Sequence, residues 1–482
     1  MFDKIKALSK ETLIYGTNTI IGRFLNFLFV PLYTNIFAPG EFGIVANIYA
    51  YIAILNVFFT IGLESGYFRF ASTLEKGSNK ENFTHPFLGI FINSLLLSSI
   101  LFVFAGNLNS LFLVDESRVY LIRYTAVILF FDAISIVPFA YLRLQHKAVL
   151  FVTLKILNIV INVTLNFVLI LVLKWGIESV LISNIIASVI TFITVLPIIY
   201  KNFSISFNKD LAKELLKFSL PYIPAGISSN LVQVINRPML YAITGNANSV
   251  GIFQANYKLG IFMMLFVSMF EFAWRPFFMQ NFQMPDAKKL FSKIMTIFVI
   301  VGSFIFIILT LFIEDIVKIP LFGRGTLVGK AYWSGLAIVP IILFSYLLYG
   351  MYINLMAGIY IEKKTKYLPI ITGGAALTSI LFNLILIPPL GIQGAALSSL
   401  LSYMAMLIGI FIVSQKYYPI NYEYAKIVTV FLIIGIIFFA NFYFFNDYLA
   451  VKIILLAAFV ISIFVFKIIS IESIREFAKS NK

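Results

Sequence analysis

Four ionisable side chains sit deep inside long apolar runs of this sequence: Arg23, Asp132, Arg237 and Lys258. A charge at the centre of a bilayer costs about 3 kcal/mol on insertion scales, so each must face a packed interior or a watery lumen. Three cations against one carboxylate make that lumen electropositive. Arg grips phosphate oxygens in a two-pronged geometry and Lys supplies a point charge, so the chemistry is anion binding. An organic cation suits it badly. Amides gather around the same charges: Asn18 and Asn26 near Arg23, Asn230, Gln233 and Asn236 before Arg237, Gln254 and Asn256 before Lys258. Asn230, Gln233 and Arg237 follow i, i+3, i+7 and share one helical face. We expect Asn26, Asn230, Gln233, Asn236 and Gln254 to line a polar cavity.

Other roles stand beside these. Arg23 and Asp132 would suit a buried ion pair, Lys258 could snorkel to the interface, and Arg237-Pro238 could mark a helix kink. Any single asparagine could serve as interhelical glue. Glu64, Arg69, Glu271 and Arg275 fall at the inner ends of apolar runs and are candidates for inner-gate charges, or simple interfacial ones. Asp132, Glu64 and Glu271 are the titratable candidates for ion coupling, to H+ or Na+.

These residues are positioned by membrane helices. The 482 residues are 61% hydrophobic and 12% charged, with mean hydropathy +0.97, where soluble domains carry about 25% charge. Apolar runs of roughly 20 residues, the length a spanning helix needs, fall at 12–36, 42–63, 86–106, 119–140, 149–173, 177–200, 218–243, 249–271, 291–313, 332–358, 367–387, 392–414, 427–445 and 449–470. The fold class is therefore all-α integral membrane, with about 14 transmembrane helices. With the N-terminus inside, 26 Lys and Arg fall in inner segments and seven in outer ones. That bias places both termini in the cytoplasm. It also explains the net charge of +15 without nucleic acid.

The sequence repeats weakly. "YLRLQHK" at 141–147 resembles "YIEKKTK" at 360–366, and each precedes two apolar runs with Asn166 or Asn383 in the first. "FGIVANIY" after the first run resembles "GIFQANYK" after the seventh. The domains expected are 1–205 (helices one to six), 206–416 (seven to twelve) and 417–482 (two appended helices and a tail). Two parallel repeats with a site between them are a common transporter plan. Pro31 and Pro238 fall at equivalent places in the two halves, where a missing hydrogen bond would bend the first and seventh helices.

Several classes are excluded or disfavoured. Cysteine is absent, so no disulfide or thiolate site exists. The two histidines, His85 and His146, are far apart, and neither a metal nor a cofactor is expected. No Walker A sequence occurs. External acid pairs, Asp115-Glu116 and Glu314-Asp315, sit on short loops, so a membrane glycan polymerase or sugar transferase is the weaker alternative and no enzyme is expected.

In order along the chain, "APGEFG" (38–43), "GLESGYFRF" (62–70), "FSLPYIP" (218–224), "NRPML" (236–240), "VGIFQANYKLG" (250–260) and "FAWRPFF" (272–278) resemble the bacterial polysaccharide (O-antigen, Wzx-type) flippases of the multidrug/oligosaccharidyl-lipid/polysaccharide (MOP) exporter superfamily. The resemblance covers the whole length. It implies two six-helix lobes forming a V around a central cavity, two C-terminal helices, and alternating access. The implied substrate is a polyprenyl (undecaprenyl) pyrophosphate-linked oligosaccharide, carried across the cytoplasmic membrane for O-antigen or capsule synthesis. The implied partners are that lipid-linked oligosaccharide, membrane lipids and a coupling ion, with the protein acting as a monomer. Arg23, Arg237 and Lys258 match cavity cations of the family. One departure is Asn236, where the family often has Asp; it weakens any proton-relay role there. A cation-coupled multidrug exporter of the same superfamily is the other alternative.

Overall fold

The computed structural model describes residue 16 and residues 20–321, 325–444 and 448–468. The start of the first apolar run with Asn18, the basic residues Lys4, Lys6, Lys10, Arg324, Arg475, Lys479 and Lys482, and hence both termini, lie outside the described residues.

Among the described residues, eleven helices are long and apolar enough to cross a membrane, and Ile20–Ile36 and Leu449–Val465 are shorter apolar ones. A further crossing is a broken helix, Tyr222–Val234 followed by Asn236–Thr244. Each of the fourteen apolar runs expected from hydropathy is helical over most of its described residues, and none of the described residues forms a strand. In order, the helices are α1 (Ile20–Ile36), α2 (Pro39–Thr60), α3 (Leu63–Thr73), α4 (Asn79–Val103), α5 (Tyr120–Leu144), α6 (Ala148–Phe167) and α7 (Glu178–Asn202). Then come α8 (Lys209–Ser219), α9 (Tyr222–Val234), α10 (Asn236–Thr244), α11 (Ala247–Leu259), α12 (Ile261–Asn281) and α13 (Ala287–Val317). The chain ends with α14 (Val339–Ile361), α15 (Leu368–Leu390), α16 (Ile392–Tyr417), α17 (Tyr424–Phe444) and α18 (Leu449–Val465).

Several stretches expected to be loop are helical. Residues 64–73 form most of α3, an amphipathic α8 follows α7, and α12 continues ten residues beyond the apolar run to Asn281. Hydropathy misses such segments because they are helical without being apolar. Side-chain caps mark the starts of α4, α8 and α11. Ser78 and Glu81 form a reciprocal capping box at α4, and Asn208 and Asn246 cap α8 and α11, each satisfying amide N–H groups that have no partner within the helix.

The two expected bends occur. The first helix is interrupted by a turn at Leu28 and the seventh crossing at Ile235. Each turn lies three residues before a proline, Pro31 and Pro238. Proline cannot donate to the carbonyl four residues back, so the ladder fails at that place in both.

Helices α4, α5, α6 and α7 pack on one another, as do α9, α12, α14, α15 and α16. Between these groups run α2 and α11, in close contact, and α2 also meets α9. The α17–α18 pair leans on α13. It is tied at one end by Thr296 donating to Glu423 at 2.7 Å and at the other by Lys452 against Asp315 at 2.5 Å.

Candidate functional site

Arg23, Arg237 and Lys258, from three different helices, line one cavity of about 180 Å³. Its walls also hold Asn26, Phe27, Gln254, Tyr257, Ile261, Met264 and Tyr346. No carboxylate is among them.

Each cation is held differently. Arg23 on α1 donates to the Ser268 hydroxyl and, at 3.4 Å, to the Met264 carbonyl, both on α12. Ser268 also donates to that carbonyl at 2.7 Å. Arg237 follows the break at Ile235, so the bend that Pro238 causes turns its side chain to the cavity. Its Nε donates to Gln254 Oε1 and one terminal nitrogen to the Gln233 carbonyl at 3.0 Å. Its guanidinium lies 4.8 Å from the Tyr257 ring centre, a favourable cation–π distance. The Lys258 ammonium lies 5.9 Å from the Phe42 ring centre. Such contacts orient a cation but do not neutralise it, so the cavity keeps its positive potential.

The other sequence candidates divide. Asn26 and Gln254 line the cavity, but Asn230, Gln233 and Asn236 are not among its walls. Asn230 donates to the Gly226 carbonyl of its own helix at 3.1 Å, and Gln233 contributes only its carbonyl. Asn236 points the other way: it donates to Ser399 at 2.5 Å and accepts from Asn383 at 2.7 Å. The break at Ile235 ends the single helical face that the i, i+3, i+7 spacing of Asn230, Gln233 and Arg237 assumed.

Arg23 and Asp132 do not pair. Asp132 accepts from Ser188 at 2.6 Å. Its cationic neighbour is Lys155, which lies inside α6 and 4.1 Å from the Phe139 ring centre. The candidate gate charges stay within their own groups of helices. Glu64 pairs with Arg143 at 2.9 Å, Arg69 with Glu75 at 2.9 Å and Glu271 with Arg275 at 2.6 Å. Among the described residues, none of these three pairs joins the first six crossings to the next six.

Sequence reasoning missed the phenols. Tyr257, Tyr346 and Tyr403 are buried, with ring centres 6.0 Å apart for Tyr257–Tyr346 and 6.1 Å for Tyr346–Tyr403. The only signal was tyrosine in mid-helix, away from the interfaces where it usually sits.

A family model described as polysaccharide biosynthesis protein matches residues 8–282. The chain belongs to the polysaccharide biosynthesis protein family. No curated protein sequence matches it. Among solved structures, the fold resembles the lipid II flippase MurJ in an inward closed conformation, with TM-score 0.72 and 15% identity over 93% of this chain and 98% of that one. It also resembles an inward-facing multidrug resistance MATE family transporter of the MOP superfamily, with TM-score 0.65 and 16% identity over 82% and 94%. A Vibrio cholerae MATE transporter, VcmN, gives TM-score 0.55 and 14% identity over 86% and 97%. This member of the polysaccharide biosynthesis family therefore has the fold of the MOP superfamily transporters.

Proposed function

We propose that this family member is a flippase that moves a polyprenyl (undecaprenyl) pyrophosphate-linked oligosaccharide from the inner to the outer leaflet of the bacterial cytoplasmic membrane by alternating access. The surface polysaccharide so supplied is of the O-antigen or capsule kind. The observation that carries this reading is a cavity with three cations and no carboxylate in its walls. In low dielectric such charges call for an anion, and a pyrophosphate meets both guanidinium forks and the ammonium. Asn26 and Gln254 supply further donors. At about 180 Å³ the cavity is smaller than the roughly 300–1,000 Å³ of most ligand pockets. It suits a head group, and the glycan requires the lobes to part.

In this scheme residues 1–205 and 206–416 are the moving lobes, and 417–482 the appended hairpin and tail. Both ends of the chain face the cytoplasm. Asp132, Glu64 and Glu271 are the groups that would couple transport to H+ or Na+. The protein works as a monomer on lipid-linked oligosaccharide within membrane lipid.

Reconstitution with a fluorescent pyrophosphate-linked glycan and a membrane-impermeant quencher tests the reading. Transport by the native chain and its loss in the Arg23→Ala, Arg237→Ala double variant are expected. Unchanged flipping in that variant would remove the residue assignment. Drug efflux with sodium dependence, and no glycan movement, would favour the exporter reading, and covalent change in the glycan the enzyme reading.

A further inference from the structure

Helix α8 lies on the chain between the sixth and seventh crossings. Its position is set by protein contacts on one face. Leu211, Leu215 and Ser219 are buried against the segment around α3, where Gly66 and Gly77 make room. A Cβ on Gly66 would stand 3.2 Å from Leu215 Cδ2, and one on Gly77 would stand 2.8 Å from Leu211 Cδ2. His85 accepts the Asn208 N–H at 2.8 Å, and its ring stacks on Phe207 with centres 5.3 Å apart.

The opposite face has no such cover. At 100° per residue, Leu216, Lys209, Leu220, Lys213 and Lys217 follow one another around it, and all five are exposed. Just before the helix, Ile205 is 95% and Phe207 72% exposed, within five residues of Asn202, where α7 ends. Among the described residues, no carboxylate lies within ion-pair distance of Lys209, Lys213 or Lys217. Glu214 on the same helix is turned to Lys76 at 3.4 Å.

We propose that this segment, residues 203–220, is a docking surface for anionic phospholipid. Ile205, Phe207, Leu216 and Leu220 enter the interface of the adjoining leaflet, and Lys209, Lys213 and Lys217 hold its phosphate head groups. Leucines interleaved with lysines on one face are the pattern of a helix lying in the interface plane, where long ammonium stems reach head groups while the apolar tips sink. Lysines are point charges on flexible stems. They match a shifting array of head groups better than one rigid partner. Because α8 joins the first six crossings to the next six, this contact ties the joint to the bilayer surface and makes its position respond to the leaflet's charge.

The absence of cysteine permits a direct test. A nitroxide at Ile205→Cys in the full chain is reconstituted into phosphatidylglycerol-containing or pure phosphatidylcholine vesicles. Relaxation by oxygen should exceed relaxation by a water-soluble nickel complex in the anionic vesicles. That ratio should fall by about threefold or more in the zwitterionic ones, in high salt, and in the Lys209→Glu, Lys213→Glu, Lys217→Glu variant. Should that variant fail to fold, the salt titration of the labelled parent decides. Soluble phosphate at matched ionic strength should leave the ratio unchanged. A water-like label in both vesicles, a ratio indifferent to head-group charge and salt, displacement by free phosphate, or protection only when a second protein copurifies would each overturn the proposal.

Discussion

Gly43 and Gly251 stand back to back where α2 crosses α11. A Cβ on either glycine would lie 3.0 Å from the other's amide nitrogen. Each would also collide with a carbonyl of the facing helix, Gly43 with Ala247 and Gly251 with Pro39. The contact is reciprocal, and it brings the backbones of the two helices together. Nearby, Asn35 donates to the Thr326 carbonyl at 2.6 Å and accepts the Thr326 N–H at 3.2 Å, and Tyr332 donates to the Phe37 carbonyl at 2.9 Å.

Substituting either glycine should therefore open this contact. Gly43→Ala or Gly251→Ala forces the helices apart at an overpacking cost of about 1–3 kcal/mol, since the clash is with backbone that cannot rotate away. Maleimide cross-linking between Asn35→Cys and Thr326→Cys should drop several-fold in either background. An unchanged yield would mean that the helices part without this contact.

Lys258→Gln should stabilise the protein and impair it together. Removing one of three like charges from a cavity without a carboxylate relieves repulsion, so the thermal midpoint should rise, by the equivalent of about 1 kcal/mol. Transport of the pyrophosphate-linked glycan should fall about tenfold or more, as expected on losing a charged hydrogen-bond donor of about 1.5–3 kcal/mol. A fall in both would show that Lys258 serves packing instead.

Asn236→Ala should cost about 1–3 kcal/mol, because the buried Asn383 amide and Ser399 hydroxyl lose a partner where water cannot replace it. Asn383 also donates to the Ser379 carbonyl at 2.8 Å, so the network weakens rather than vanishes. Thermal unfolding in detergent measures this. A midpoint equal to the parent's would show that Asn236 contributes nothing to packing.

Glu423 should give the α13–α17 contact an acid-sensitive share of its strength. Burial pushes its carboxyl up, but Lys426 at 2.6 Å and Thr296 at 2.7 Å outweigh burial and hold it below its ordinary value. A group depressed in the folded state stabilises above its unfolded value and loses that contribution as pH falls through the folded one. Parent and Glu423→Gln should thus differ at neutral pH and approach one another as pH falls below the ordinary glutamate value of about 4.3 and through the lower folded one. Protease sensitivity of the α17–α18 hairpin across that range provides the comparison.

Much was legible in the residues themselves. Hydropathy located the fourteen crossings because a bilayer demands about 20 apolar residues from each. Pro31 and Pro238 marked the two bends because a missing N–H acts locally, wherever the helix goes. Arg23, Arg237 and Lys258 drew notice because charge in lipid is rare and costly. Which of their neighbours joined them depended on geometry that spacing does not carry. Asn236 turned into Ser399 and Asn383. Arg23 chose Ser268 over Asp132, and Asp132 found Lys155 of α6 as its cationic neighbour. Tyr346 reached the cavity from α14, nearly ninety residues beyond Lys258. Periodicity and hydropathy are properties of one helix at a time and can be read along the chain. Convergence of side chains from α1, α10, α11, α12 and α14 on one cavity is a property of how helices pack, and only the tertiary structure decided it.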